Sequence, residues 1–206
     1  MKKHIHLFLK IVTLVTVLIT VHCLLFTFHC FAQQAQLDSL LRLNADHRNE
    51  DNTKLSVLNS LAEVYQWMQV DSGLIYTDRA IAMAQRLNNQ QELANAYINK
   101  VRLLHYQGKV AEREKLLEKV LPITTKLNDK NNVAEYYLQL ARVRFGDERI
   151  ALSRKALDLY SQTNNMLGIG RASFFLGRHV GSFSNFDSVQ YVVKARDIFQ
   201  KLGNQP

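Results

Sequence analysis

The chain has 206 residues, 47% of them hydrophobic, and a formal net charge of +8. This length fits one or two domains, and the apolar fraction is ordinary for a globular protein. The positive charge favours acidic partners or anionic surfaces without identifying nucleic acid as a ligand. Both cysteines, Cys23 and Cys30, precede residue 33, which excludes disulfides and thiolate metal sites from the rest of the chain.

The N-terminus predicts a signal peptide over residues 1–32. Two lysines, Lys2 and Lys3, precede an apolar run with no acidic residue over residues 7–28, and small side chains predict cleavage after Ala32. The 18-residue run Ile11–Phe28 is also about long enough to span a bilayer, so an uncleaved membrane anchor is the alternative. Either way, we expect the remainder to be exported to the periplasm or cell envelope, and we expect no nucleic-acid partner.

After a predicted helix or cap at residues 33–52, the chain repeats itself. The phrases RLNN, KLND, SQTNN and KLGN begin at residues 86, 126, 161 and 201. They divide a domain over residues 53–206 into four units, at about 53–89, 90–129, 130–165 and 166–204. Such periodicity is typical of repeat proteins in which each unit buries the apolar face of its neighbour.

Each unit contains two helical patterns separated by a short break. In the first, Leu58, Leu61, Ala62 and Tyr65 recur at spacings of three and four, and no segment alternates with period two over a useful length. The sequence therefore predicts an all-α fold of helical hairpins. Pro122, inside the second unit, is expected to kink or shorten its helix.

These hairpins resemble tetratricopeptide repeats. The resemblance is carried by pairs such as Leu61-Ala62, Leu140-Ala141 and Leu176-Gly177, each followed by a helix that holds Ala80, Ala156 or Ala195. It implies a right-handed superhelical solenoid. The family period is about 34 residues, and these units are longer, as though each second helix continued through the Leu-Asn segment. Arg113 stands where the family usually has alanine.

The start of the repeat domain is also similar to exported sensor regions of bacterial signalling proteins. This similarity rests on residues 37–65 and on the Asp71-Ser72-Gly73-Leu74 segment. It implies the alternative that the chain is the ligand-input region of a receptor, either a histidine kinase or a transcription regulator, whose output domain is not in this sequence.

No motif predicts catalysis, a cofactor or a metal. His47, His105 and His179 are far apart in sequence, and the glycines at 168 and 170 match no phosphate-binding spacing. No serine, histidine and aspartate set has a nucleophile signature. We therefore expect a protein that is not an enzyme.

One pattern predicts a binding face. Arg102, Arg142 and Arg178 each follow the small or apolar residue that ends the motif of a first helix. The resemblance implies that this position faces the concave groove, where stacked guanidinium groups suit the carboxylates of an acidic peptide or protein. Three solvated arginines on a helix surface are the alternative. The same face would add Asn99, Gln139 and Phe175.

The function expected from these patterns is an exported scaffold that binds a protein or peptide through its concave groove. The last helical pattern, Val189 to Leu202, is apolar where a solenoid usually ends in a polar cap. A truncated or continued chain would explain this ending, and a partner or self-association that covers the exposed C-terminal repeat is the alternative.

Overall fold

A computed structural model describes residues 33–180 and 186–203, so the predicted leader and its cleavage site lie outside the described residues. The chain divides into two compact units after His47. The described part of the first unit is a single helix, α1, over residues 33–46.

The second unit, from Arg48 onward, is built of helices that alternate with short turns. No strand occurs in the described residues, and the expected all-α fold of helical hairpins is confirmed. The helices are α2 (Asn52–Met68), α3 (Val70–Arg86), α4 (Gln90–Tyr106), α5 (Val110–Lys126), α6 (Lys130–Ala141), α7 (Gly146–Gln162), α8 (Met166–Gly177) and α9 (Phe186–Lys201).

The first helix of every repeat begins with the same side-chain cap. Asp51, Asn89, Asp129 and Asn165 each accept a hydrogen bond, 2.9 to 3.0 Å long, from the backbone N–H three residues later. Short polar side chains are favoured here because they satisfy one of the four unpaired N–H groups of a helix start.

The repeated Leu-Asn phrase forms the turn between repeats. Asn88, Asn128 and Asn164 adopt left-handed backbone angles, with φ of 51 to 53°. At the first turn, the N–H of Asn89 donates to the carbonyl of Ala84 at 2.9 Å and that of Asn88 to Gln85 at 3.2 Å. This pattern terminates a helix, and asparagine tolerates the left-handed angle better than most residues.

The second helices therefore end before the Leu-Asn segment, at Arg86, Lys126 and Gln162, and the expected extension through it is wrong. The long repeat instead follows from second helices of 17 residues each. In each of the first three phrases, one asparagine or aspartate donates its backbone N–H to the end of the preceding helix and caps the start of the next helix with its side chain. This double role explains why the phrase recurs.

Helix α5 is not shortened by Pro122, because it has the same 17 residues as α3 and α4. Proline removes one helical hydrogen bond. The bonds that follow remain, since the N–H of Leu127 still reaches the carbonyl of Ile123 at 3.0 Å.

The core consists of two buried clusters, each shared by two neighbouring hairpins. One buried cluster joins α2 through α5 and includes Leu55, Leu58, Tyr97 and Val120. A second joins α6 through α9 and includes Leu138, Tyr160, Ile169, Ala172 and Ile198. Each hairpin thus covers the apolar face of another, as repeat proteins require.

A close contact fixes the last hairpin. A Cβ built on Gly177 would lie 2.6 Å from Cγ2 of Val192 and 3.1 Å from the backbone oxygen of Ser188. The Ser188 hydroxyl donates to the Gly177 carbonyl at 2.5 Å. Only glycine lets α8 and α9 approach this closely without displacing a neighbour.

The first helices form the inner layer of the repeats. Helix α2 contacts α4, α4 contacts α6, and α6 contacts α8, whereas the second helices of neighbouring repeats do not pack on one another. We call the surface of α2, α4, α6 and α8 the A-helix face. Among the described helices, none is both long enough and apolar enough to cross a membrane.

Candidate binding site

Polar side chains link neighbouring helices along the A-helix face. Asn59 donates through Nδ2 to Glu92 Oε2 at 2.6 Å, and Asn99 donates through Nδ2 to the Asn59 carbonyl at 3.2 Å. Farther along, Asn132 donates to Asn95 Oδ1 at 2.9 Å. Hydrogen-bonded polar groups of this kind fix the register of one repeat on the next.

The strongest of these links is built around the carboxylate of Glu135, which is only 4% exposed. Arg102 lies against it with two atoms: Nε is 3.1 Å from Oε1 and Nη2 is 3.0 Å from Oε2. Arg171 donates to Oε1 at 2.9 Å, Gln139 to Oε1 at 2.7 Å, and Tyr160 to Oε2 at 2.6 Å. We call these five residues the Glu135 cluster.

The repeat register brings the Glu135 cluster together. Glu135 and Arg171 are each the sixth residue after the N-cap of their helix, while Arg102 and Arg142 are each the thirteenth residue after the N-cap, with Arg142 at the C-cap of α6. Residues at these two positions face the same side of successive helices. Glu135 in α6 can therefore meet an arginine from α4 on one side and one from α8 on the other.

Burial and charge act in opposite directions on this carboxylate. Burial raises the pKa of Glu135, but the charges and hydrogen bonds of Arg102, Arg171 and Tyr160 outweigh it and hold the pKa well below its usual range. The cluster therefore contributes stability above the unfolded pKa of about 4.3, which is lost as pH falls through the folded pKa.

The pKa values of Arg102 and Tyr160, two partners of Glu135, shift in the direction that favours their bonds to its carboxylate. Burial lowers the pKa of the Arg102 guanidinium, but the adjacent Glu135 carboxylate raises it further, so the net shift is upward. Burial and the same carboxylate raise the pKa of Tyr160 well above its usual value. Arg102 thus stays charged and Tyr160 stays a neutral donor.

A second group of basic residues lies beside this one. Arg142, the C-cap of α6, places Nη1 3.5 Å from Nε2 of His105 in α4, a long contact, and its guanidinium lies 5.3 Å from the centre of the Phe175 ring. Arg113 of α5 is only 2% exposed. We call His105, Arg113 and Arg142 the basic cluster.

The basic cluster has more positive charge than its surroundings neutralise. Burial, then Arg142 and Arg113, lower the pKa of His105 to about 4. Burial and Arg142 lower the pKa of Arg113, and burial and Arg171 lower that of Arg142, although nearby carboxylates oppose both shifts. His105 is therefore neutral at pH 7, and Nε2 is free to accept from Arg142.

The position of Arg113 explains its burial. It is the fourth residue of α5, and the fourth residue of α3 is Gly73, where an added Cβ would lie 2.7 Å from Leu103 Cδ2. This is a helix-contact position that suits a small side chain. At Arg113 the chain instead places a guanidinium between helices.

The three predicted arginines do not form a uniform row. Arg102 is taken up by Glu135, and its Nη1 also lies 3.6 Å from Glu63. Arg142 belongs to the basic cluster. Arg178 is exposed, with its guanidinium 5.7 Å from the centre of the Phe174 ring.

The three residues predicted on the same face, Asn99, Gln139 and Phe175, also differ in their surroundings. Asn99 and Gln139 are buried and bonded within the chain, Asn99 to Asn59 and Gln139 to Glu135. Phe175 is half-buried and its ring contacts His179 at 4.4 Å between ring centres. Of this set, Phe175, Arg142 and Arg178 are the residues whose side chains are at least partly exposed and not paired with a carboxylate.

Sequence reasoning missed Glu135, Arg171 and Tyr160, although alignment of the helices on their N-caps would have placed Glu135 between two arginine positions. Arg113 did stand out, as arginine at a position where alanine is usual. Its electrostatic interaction with Arg142 gave no local signal, because 29 residues separate the two in sequence.

Exposed aromatic side chains border the same face. Trp67, Tyr106 and Phe145 lie at or just beyond the ends of α2, α4 and α6, one in each of the first three repeats, and all three are exposed. The rings of Trp67 and Tyr106 meet edge to face at 6.0 Å. Exposed aromatic groups beside charged ones are common at binding surfaces.

No metal centre is formed within the part of the chain that the structure describes. No three side chains of histidine, cysteine, aspartate or glutamate lie close enough there to hold an ion. The site is therefore described by its hydrogen-bonding and charged groups.

Comparison with known proteins supports the repeat fold. A family model described as the SusR N-terminal TPR domain matches residues 32–166, which confirms the resemblance to tetratricopeptide repeats. The solved structure titled "Crystal structure of BtubC (BKLC) from P. vanneervenii" is similar, with a TM-score of 0.57 and 16% identity, over 82% of this chain and 72% of that one. At that identity, the likeness establishes the fold alone. A search of curated proteins finds no match.

Proposed function

Because this chain belongs to the family of SusR N-terminal TPR domains, we propose that it is an exported, non-catalytic module that binds an acidic protein segment on its A-helix face. In this proposal the repeats wind as a right-handed superhelix, and the A-helix face lines its concave groove. Arg142 and Arg178 supply the charge that the partner recognises.

The observation that carries this proposal is the difference between the arginines. Arg102 has its carboxylate, whereas Arg142 and Arg178 form no ion pair with any described residue. A guanidinium without an internal partner binds an external carboxylate with two parallel hydrogen bonds at little structural cost. The exposed rings of Trp67 and Tyr106 add apolar contact beside that charge.

The test uses a ten-residue glutamate-rich peptide and its glutamine-rich counterpart, both fluorescently labelled. Fluorescence anisotropy with the full chain should show tighter binding of the acidic peptide, and the difference should shrink as salt screens the charges. The double substitution Arg142→Glu with Arg178→Glu should weaken acidic-peptide binding at least about tenfold, since each lost contact to a charged group costs about 1 kcal/mol or more.

A matched control carries the same change of charge elsewhere. Lys115 and Arg154 are exposed on α5 and α7, so Lys115→Glu with Arg154→Glu should leave most of the binding intact. If both double variants weaken binding equally, only the net charge of the protein matters and a defined groove is ruled out.

The alternative function is the ligand-input region of a signalling receptor. The matching family model describes an N-terminal domain of SusR, which favours a repeat region that works together with a further part of a receptor. An antibody against residues 33–206 distinguishes the two functions on a blot of fractionated cells. A band near the 23.7 kDa of this chain in the soluble envelope fraction favours a free binding module, and a much larger membrane-bound band favours the receptor.

Self-association through the last repeat is a separate part of the proposal. Val189, Val193 and Leu202 on and after α9 are exposed, as is Met166 at the start of α8. Sedimentation equilibrium of the full chain and of Val193→Asp measures it: a dimer that dissociates in the variant supports this surface, and a monomeric wild type excludes it.

A further inference from the structure

The basic cluster contains hydrogen-bond donors that the described chain does not satisfy. Nε and Nη2 of Arg113 and Nε of Arg142 are buried, and none of them has an acceptor. Buried polar atoms are nearly always hydrogen-bonded, and a buried charge without a partner is strongly unfavourable. Three unsatisfied donors on two guanidinium groups whose charges repel each other therefore require an explanation.

Nearby carboxylates do not supply it. Glu114 is the carboxylate that acts on Arg113, but its Oε1 already binds Nη1 of Arg144. Glu135, which acts on Arg142, already accepts hydrogen bonds from four side chains. Arg171 and Arg102 add repulsion at Arg142 instead of relief.

The free atoms of Arg113 have a useful geometry. Nε–H and one N–H of Nη2 point in the same direction along one edge of a guanidinium, and this edge matches the two oxygens of a carboxylate. Arg102 shows the arrangement within the same molecule, because its Nε and Nη2 hold Oε1 and Oε2 of Glu135 at 3.1 and 3.0 Å. Arg113 presents the same pair of atoms without the carboxylate.

The other two residues of the basic cluster reach the solvent. His105 and Arg142 are half-buried, and their mutual contact of 3.5 Å is too long to be a strong hydrogen bond. An oxygen that enters between them would accept from Arg142, whose charge also acts on Arg113. The exposed ring of Tyr106 lies next to His105, with ring centres 5.5 Å apart.

We propose that the basic cluster is a binding site for one carboxylate group of the ligand, held by Arg113 and Arg142 together. This inference rests on the proposed function and deepens it, because it names the point at which an acidic partner is anchored. The unsatisfied donors of the basic cluster lack both an acceptor and a compensating negative charge. A water molecule would supply only the acceptor. A planar, two-oxygen anion supplies both at once.

The first experiment uses acetate, the smallest carboxylate, with the full chain. Sodium acetate replaces sodium chloride at constant ionic strength, and the thermal unfolding midpoint is measured at pH 7. In the wild type the midpoint should rise with the logarithm of the acetate concentration once this exceeds the dissociation constant, because a ligand that binds only the folded state stabilises it. Arg113→Met should shift the acetate concentration at which this rise begins upward at least tenfold or remove the response.

Arg154→Met is the matched control, because it removes an exposed arginine from α7 and should leave the acetate response unchanged. If Arg113→Met does not fold, Arg142→Met at the solvent side of the cluster replaces it, with the same expected loss. A wild-type midpoint that does not respond to acetate, or a response that both Arg113→Met and Arg142→Met retain, overturns the proposal.

The labelled glutamate-rich peptide separates this inference from the proposed function. Acetate protection that needs Arg113, with no peptide binding, supports the carboxylate site and rejects the acidic-partner module. Peptide binding that needs Arg142 and Arg178, with no acetate protection and no effect of Arg113→Met, supports the module and rejects the site. Loss of both responses in Arg113→Met supports a partner anchored at this cluster, whereas a free acid as natural ligand would give acetate protection alone.

Discussion

Arg102 and Arg113 belong to the two helices of one hairpin, α4 and α5, yet their surroundings are opposite. Both are largely shielded from solvent, with the Arg102 side chain 13% exposed and Arg113 2% exposed. Arg102 pairs with a carboxylate supplied by the next repeat, while Arg142 of that next repeat repels Arg113. The difference shows that the neighbouring repeat decides whether a shielded charge in this protein has a partner of opposite charge. The first arginine joins repeats, and the second has two buried donor atoms without an acceptor.

The Glu135 cluster connects several repeats through one carboxylate. Its members lie on α4, α6, α7 and α8, so one carboxylate joins the second, third and fourth repeats. Burying an ion pair is costly unless the geometry is good and the remaining polar atoms are satisfied. Five contacts to two oxygens meet both conditions here.

The same substitution at the two arginines should have opposite effects on stability, and this is the largest contrast that we expect. Arg102→Met leaves the Glu135 carboxylate buried with less compensation, so it should lower the free energy of unfolding by about 3 kcal/mol. Arg113→Met removes an unpaired buried charge, so in acetate-free buffer it should raise that free energy by about 1 kcal/mol. Urea unfolding of both variants measures the two changes.

Glu118→Gln on the exposed side of α5 serves as the control and should change stability by less than about 0.5 kcal/mol. A loss of stability in Arg113→Met as large as that in Arg102→Met would contradict the contrast. It would mean that Arg113 has partners in the folded chain after all.

Tyr160→Phe is a smaller change to the Glu135 cluster than Arg102→Met. It removes one hydroxyl that donates to the carboxylate at 2.6 Å and leaves the ring in the core. A hydrogen bond to a charged group contributes about 1.5–3 kcal/mol, and we expect a loss at the lower end, because Arg102, Arg171 and Gln139 remain. No change in the urea midpoint would show that the hydroxyl is dispensable to the cluster.

The smallest effect concerns His105. Its pKa of about 4 should be measurable by NMR titration of the imidazole, and Arg142→Met should raise it by about one unit, since removal of a like charge favours protonation. The folded state resists the proton that the unfolded chain accepts, so His105 lowers stability as pH falls from about 6.5 towards 4. An unchanged pKa in Arg142→Met would leave burial and the charge of Arg113 as the causes.

Much of the fold could be predicted because its signals are local. The N-caps, the left-handed asparagines and the three- and four-residue spacings each depend on a few adjacent residues, so the helical hairpins were predictable. The Leu-Asn phrase is an exception, because its apolar periodicity predicts a helix, whereas Asn88 and Asn128 adopt left-handed turn angles. The site was harder, since Arg102, Arg142 and Arg178 share a position but not a partner.

By itself, the sequence determined the helices, their pairing into repeats and a preference for basic side chains on the first helices, because hydrophobic periodicity and capping act over a few residues. Only the tertiary structure decided that Glu135 neutralises Arg102 and that Arg113 and Arg142 lie together without a carboxylate. Those contacts join residues about 30 positions apart, and they depend on how one repeat packs against the next, which no short stretch of sequence specifies.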